Sequence, residues 1–145
     1  MKEYKFIVVP FLTLLICQII KFTIESIMNK ELLWGRFFNG SGGMPSAHTS
    51  FSSSLTTMLG LNLGFDSPAF AIALIFTLIV SYDSMGLRME SGLQAEAINK
   101  IYDEIFKDKG IKKLKEKLGH KPQEVFVGII LGILSAIFFT YRVFR

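Results

Sequence analysis

The two histidines of the chain, His48 and His120, each sit where an apolar segment begins. The first closes Ser41-Gly42-Gly43-Met44-Pro45-Ser46-Ala47-His48, and the second lies in Gly119-His120-Lys121-Pro122-Gln123-Glu124. A helix start leaves backbone N–H groups unpaired and carries partial positive charge, so it favours a bound anion. An imidazole placed there can give or take a proton near neutral pH. Two such imidazoles over one phosphoester can divide its cleavage, one attacking phosphorus and the other protonating the leaving oxygen. Glu124 follows His120 by four residues, a spacing from which a carboxylate can orient the ring. The plain alternative is that Gly-Gly and Pro merely break the chain between helices and His48 caps the second one.

The elements that must position these residues are membrane helices. Half of the 145 residues are hydrophobic, 14 are Phe, and the mean hydropathy is +0.43. One domain of all-α class is expected: a bundle of about four transmembrane helices with an amphipathic interfacial helix. Spans are predicted at 6–28, 46–63, 68–87 and 122–141. No small-x-small cleavage site follows the first run, so it reads as an uncleaved span and not a signal peptide. The second span carries Ser50, Ser52, Ser53, Ser54, Thr56 and Thr57, which suit close helix packing, so it belongs in the middle of the bundle. Gly128 and Gly132 allow similar closeness in the last span.

Between the third and fourth spans, Leu93, Ala97, Ile98, Ile101 and Ile105 recur at helical spacing. That pattern predicts an amphipathic helix lying on the membrane or covering the bundle. The lysines from Lys107 to Lys117 that follow would draw anionic lipid. They have no interleaved aromatic residues, which argues against nucleic-acid binding. With a single cysteine, Cys17, no intrachain disulfide can form. No zinc-type Cys/His spacing, Walker loop or dinucleotide glycine pattern is present, so no metal or cofactor is expected.

Four spans place both termini on one side. The terminal side carries four cations, and the 29–45 and 88–121 connections carry eleven. The positive-inside rule therefore puts both connections in the cytoplasm, with the protein in an inner (plasma) membrane. Arg36, Ser46, His48, Asp83, Arg88, His120 and Glu124 all fall at that face. Lys21, near the end of the first span, either snorkels to the headgroups or turns inward toward the site. Asp83, in the last turns of the third, either pairs with Arg88 at headgroup level or serves the site.

Gly-Gly-Met-Pro-Ser-Ala-His, Tyr-Asp-x-x-Gly-x-Arg and Leu-Gly-His-x-Pro-x-Glu-Val resemble the small, divergent membrane branch of a known superfamily. That superfamily comprises the type-2 phosphatidic acid phosphatases and the vanadium haloperoxidases. Its pattern is Lys-x6-Arg-Pro, then Pro-Ser-Gly-His, then Ser-Arg-x5-His-x3-Asp. Pro45-Ser46-Ala47-His48 is similar to the second motif, with Ala47 for Gly, and His120 and Glu124 to the end of the third, with Glu for Asp. The resemblance implies His120 as the phosphorylated nucleophile, Glu124 as its orienter and His48 as general acid. It also implies that Ser46 and the Ala47 backbone N–H hold phosphate oxygens. Leu114 and Lys113 stand where that third motif has Arg and Ser, Phe37 follows Arg36, and Asn29 replaces the first-motif lysine. A cationic clamp rebuilt from Lys21, Arg36 and Arg88 is the expectation.

The function expected is hydrolysis of a lipid phosphomonoester, such as phosphatidylglycerophosphate, through a phosphohistidine. The alternative is a non-catalytic membrane protein that binds anionic lipid or a partner through a remnant phosphate pocket. The expected partners are the lipid phosphate and the surrounding membrane lipids, with no nucleic acid; a homo-oligomer is compatible with the sequence. A haloperoxidase fits so small a bundle poorly, and no inverted repeat points to a transporter.

Overall fold

The computed structural model describes residues 3–30, 43–106, 113–116 and 118–144. Arg36, Trp34 and the lysines at 107, 109, 112 and 117 lie outside the described residues. Five helices occur among the described residues: α1 (Lys5–Asn29), α2 (Ala47–Leu63), α3 (Pro68–Met85), α4 (Leu87–Phe106) and α5 (Pro122–Arg142). No strand is present among them. The chain is an all-α membrane bundle. Three helical stretches are long and apolar enough to cross a membrane: α1, α5, and α3 with its continuation to Ile105.

The molecule carries its large apolar side chains outside and small polar ones inside. Ile72, Ile75, Phe76, Phe126 and Leu134 are exposed, whereas Ser46, Thr49, Ser50 and Ser54 are completely buried. That inversion suits a bundle whose solvent is hydrocarbon. α2 is the enclosed helix, in contact with α1, α3 and α5. Its 17 residues rise roughly 25 Å. It can be polar there because its hydroxyls return to the helix's own carbonyls. Ser50 Oγ donates to Ser46 O at 2.7 Å, Thr57 Oγ1 to Ser53 O at 2.8 Å and Thr56 Oγ1 to Ser52 O at 3.0 Å. Thr56 also meets Thr77 of α3, Oγ1 to Oγ1, at 2.9 Å.

The two glycines of α5 set its distance from α2. A Cβ on Gly128 would fall 2.8 Å from Ser46 O, and one on Gly132 would fall 2.6 Å from Ser50 O. Both neighbours are backbone, so only glycine permits the approach. At the terminal end, Val9, Met58 and Ala136 form a buried cluster flanked by Phe6, Phe139 and Phe144.

α3 starts at Ser67, whose Oγ accepts the Phe70 N–H at 3.2 Å, with Pro68 in its first turn. It ends at Met85, two residues before the predicted 87, with Gly86 as its C-cap, so Arg88 lies in the first turn of α4 and does not close α3. α4 touches α3 and no other described helix. Leu87, Leu93, Ile101 and Ile105 are all more than half exposed on it. Its inner side meets the segment 113–116. Asn99 accepts the Leu114 N–H at 2.9 Å and donates to Leu114 O at 2.8 Å, while a Cβ on Gly92 would collide with the Glu116 carbonyl. Residues 113–116 are therefore a strap folded back along α4.

Candidate active site

α2 begins where the sequence places it. Ser46 is the N-cap, its Oγ accepting the Thr49 N–H at 3.5 Å and lying 3.0 Å from Thr49 Oγ1. Pro45 precedes the cap and is fully buried; its carbonyl accepts from the Cys17 thiol at 3.5 Å. The motif is tied to the last helix by the Ser46 N–H, which donates to Glu124 O at 2.9 Å. The His120 segment is tied to the third helix, since the His120 N–H donates to Ser84 O at 2.9 Å. Gly119 has φ +86, which favours glycine, and a Cβ there would lie 2.7 Å from the Met89 N. The strap thus turns tightly against the start of α4 just before it delivers His120.

These ties put both histidines on one cleft of about 730 Å³. At one end lie Lys21, Ala47, His48, Arg88 and His120; further along lie Leu14, Phe11, Phe51, Phe76 and Val80. His120 forms the back of the polar end, only 5% exposed, and neither ring nitrogen has a hydrogen-bond partner. His48 stands exposed at the mouth. Lys21 is buried in the wall, which decides between its two readings: it faces the site and does not snorkel.

Arg88 Nε lies 3.7 Å from Asp83 Oδ2, and both side chains are near half exposed. Such a loose, wet pair contributes little to stability, so it holds the guanidinium only lightly at the cleft. Asp83 accordingly pairs with Arg88.

Two site expectations meet a different geometry. The Glu124 carboxylate does not reach His120; its Oε2 accepts the Lys121 N–H at 3.2 Å. Glu124 is the third residue of α5, where an acidic side chain is drawn to the unpaired donors of the helix start. The Ser46 hydroxyl is fully buried and spent on its own cap, so it does not line the cleft, whereas Ala47 does. Arg36 lies outside the described residues. Gln18, Ser91 and Gly119 also line the cleft and were not foreseen. The available signal for Gln18 was an amide near the midpoint of an apolar span, one turn before Lys21.

Burial, and then the charges of Lys21, His48 and Arg88, push the His120 imidazole down from the ordinary 6.5 to about 4. The ring is therefore neutral at physiological pH, with a lone pair available to an electrophile. In the unfolded chain it would bind a proton at the higher pH, so the unfolded state holds more protons between the two values. Stability then falls as pH falls from 6.5 toward 4, by on the order of 3 kcal/mol for this one group. Thermal unfolding in detergent should show that loss in the native protein and a flatter profile in His120→Gln. Identical pH profiles would remove the assigned burial and charge effects.

Two comparisons with known proteins bear on this geometry. The Divergent PAP2 family matches the chain over residues 2–135. A Bacillus subtilis (strain 168) protein, "Uncharacterized membrane protein YuiD", is 36% identical over 141 residues, covering 88% of this chain and 89% of its own length. No solved structure matches. The family match runs from before α1 into α5 and includes both histidine segments, and on that ground, with the relative's 36% identity, this membrane protein belongs to the Divergent PAP2 family.

Proposed function

We propose that the protein is a lipid phosphatase that removes a terminal phosphate from a phosphomonoester in the cytoplasmic leaflet. The observation that carries this reading is His120 itself. It is a buried imidazole with both nitrogens unpartnered, at the end of a cleft that also holds His48, Lys21 and Arg88. The neutral ring attacks phosphorus, the P–O bond to the lipid breaks, and His48 delivers its proton to the leaving oxygen. Water then attacks the phosphohistidine, giving its proton back to His48 and releasing inorganic phosphate and free His120. Lys21, Arg88 and the N–H groups at the start of α2 hold the charge that develops on the phosphoryl oxygens.

The apolar part of the cleft supports a lipid substrate, since a water-soluble phosphate would leave Phe11, Phe51 and Phe76 uncovered. The loop-side excess of lysine and arginine supports the cytoplasmic leaflet, and a lipid made there, such as phosphatidylglycerophosphate, fits that sidedness. Among the described residues, no three His, Cys, Asp or Glu side chains converge on a metal-sized site, and the steps above use no metal.

One observation favours a second reading. Leu114 stands where the resemblance would put a phosphate-binding arginine, and its side chain is 48% exposed while its backbone is clamped by Asn99. No guanidinium reaches the cleft from that position, as a protein that only binds lipid phosphate would allow. Phosphate release from a panel of lipid phosphates, with and without chelator, separates the two. The phosphatase reading expects release from monoesters that chelator leaves unchanged. Binding without release would favour the second.

A further inference from the structure

The cleft is graded along its length, and the phosphate chemistry leaves two polar side chains in its wall unused: Ser91, whose Oγ donates to Leu87 O at 3.0 Å, and Gln18. Phe11, Leu14, Gln18 and Lys21 follow at steps of three and four residues, which is one face of α1, and all four line the cleft. At the helical rise, Gln18 lies about 5 Å and Phe11 about 15 Å along the axis from Lys21. Across from them His48 stands at the Lys21 end, with Phe51 one turn deeper. The Phe11 and Phe51 rings meet edge to face, centroids 5.4 Å apart, and close the deep end. The Gln18 amide therefore stands between a cationic chamber and an apolar slot, near the midpoint of a membrane-crossing helix. A polar group there is costly unless something in the cleft bonds to it.

We propose that Gln18 is a specificity-determining residue, and that its amide bonds the oxygen-bearing link between the phosphate and the hydrocarbon of the bound lipid. This rests on the phosphatase reading for what occupies the cationic chamber. A lipid phosphate built on glycerol esters carries ether-like and carbonyl oxygens within a few ångströms of phosphorus, at the depth of Gln18. A polyprenyl phosphate carries hydrocarbon from its first carbon onward and would leave the amide unpaired against carbon. An amide stranded in this way costs enough to discriminate by about tenfold or more. The site therefore selects a phosphate on a glycerol-ester backbone over one on a bare isoprenoid chain.

The test is equilibrium binding of dioleoyl phosphatidic acid and of undecaprenyl phosphate to the full chain in detergent, native and Gln18→Met. Phosphate release is followed separately. Methionine keeps the length and suits a membrane helix, and unchanged thermal unfolding would confirm that the variant folds; Gln18→Leu serves if it does not. The native protein should bind phosphatidic acid more tightly, and the substitution should shift the ratio of the two affinities about tenfold or more toward the polyprenyl lipid. An unchanged ratio, or a native preference for the polyprenyl lipid, overturns the assignment. A shifted ratio with no phosphate released from either lipid, nor from phosphatidylglycerophosphate, sinks the phosphatase reading and leaves Gln18 in place. Release with an unchanged ratio does the reverse, and binding of neither lipid removes both.

Discussion

His120→Ala should reduce phosphate release to background, a loss on the order of 10⁵-fold if the ring is the nucleophile. The size follows from the role, because without a nitrogen to accept the phosphoryl group the two-step route does not exist, and water must attack the lipid ester directly. His48→Ala should cost less, about 10²–10⁴-fold, since it removes only proton transfer. His120 is buried but bonded only through its backbone N–H to Ser84, and its ring nitrogens hold nothing. Truncating the ring therefore breaks no hydrogen bond, and the variant should fold with near-native thermal unfolding above pH 6.5. Turnover that survives His120→Ala in a folded protein would remove the assigned mechanism.

Gly132→Val should strongly destabilise the bundle. A Cβ at 132 would lie 2.6 Å from Ser50 O and 2.9 Å from Ser54 N, both backbone atoms of α2. No rotamer relieves that contact, so α5 must move away from α2 along the interface that also ties Ser46 to Glu124. The expected cost is about 3 kcal/mol or more, at the upper end of overpacking. Leu134, two residues on and 60% exposed, supplies the control, because Leu134→Val changes only a lipid-facing surface. Thermal unfolding in detergent reads both. A Gly132→Val protein as stable as the native one would show that the two helices are not in the contact described.

The elements that carry the site were legible wherever composition or capping marked them. The apolar run predicted at 6–28 becomes Lys5–Asn29, and 122–141 becomes Pro122–Arg142, because a proline fixes the start of one and the polar flanks bound the other. The hydroxyl-rich α2 was legible as the enclosed helix, since small polar side chains have no use on a lipid face. The sequence admits two directions for Lys21, because a lysine near a span's end serves either. Only the packing of α1 against α2 turns it inward.

What stayed hidden is mostly backbone. The His120 N–H on Ser84 O and the Ser46 N–H on Glu124 O involve no side chain, so residue identity cannot announce them. Glu124 misled for a related reason. The same four-residue spacing that could serve His120 also places a carboxylate three residues after Lys121, and the helix start claims it. The fold-back of the strap was equally silent, since it depends on Asn99 reaching a Leu114 whose side chain takes no part.

The central claim is that His120 carries the phosphoryl group during turnover. The direct measurement mixes the purified protein with a lipid phosphate labelled on phosphorus, quenches rapidly into alkali, where a phosphohistidine survives, and maps the label by mass spectrometry. The account predicts label on His120, absent from His120→Ala and accumulating in His48→Ala if that ring also activates the water. Phosphate released with no labelled protein, or label found on any other residue, would contradict it.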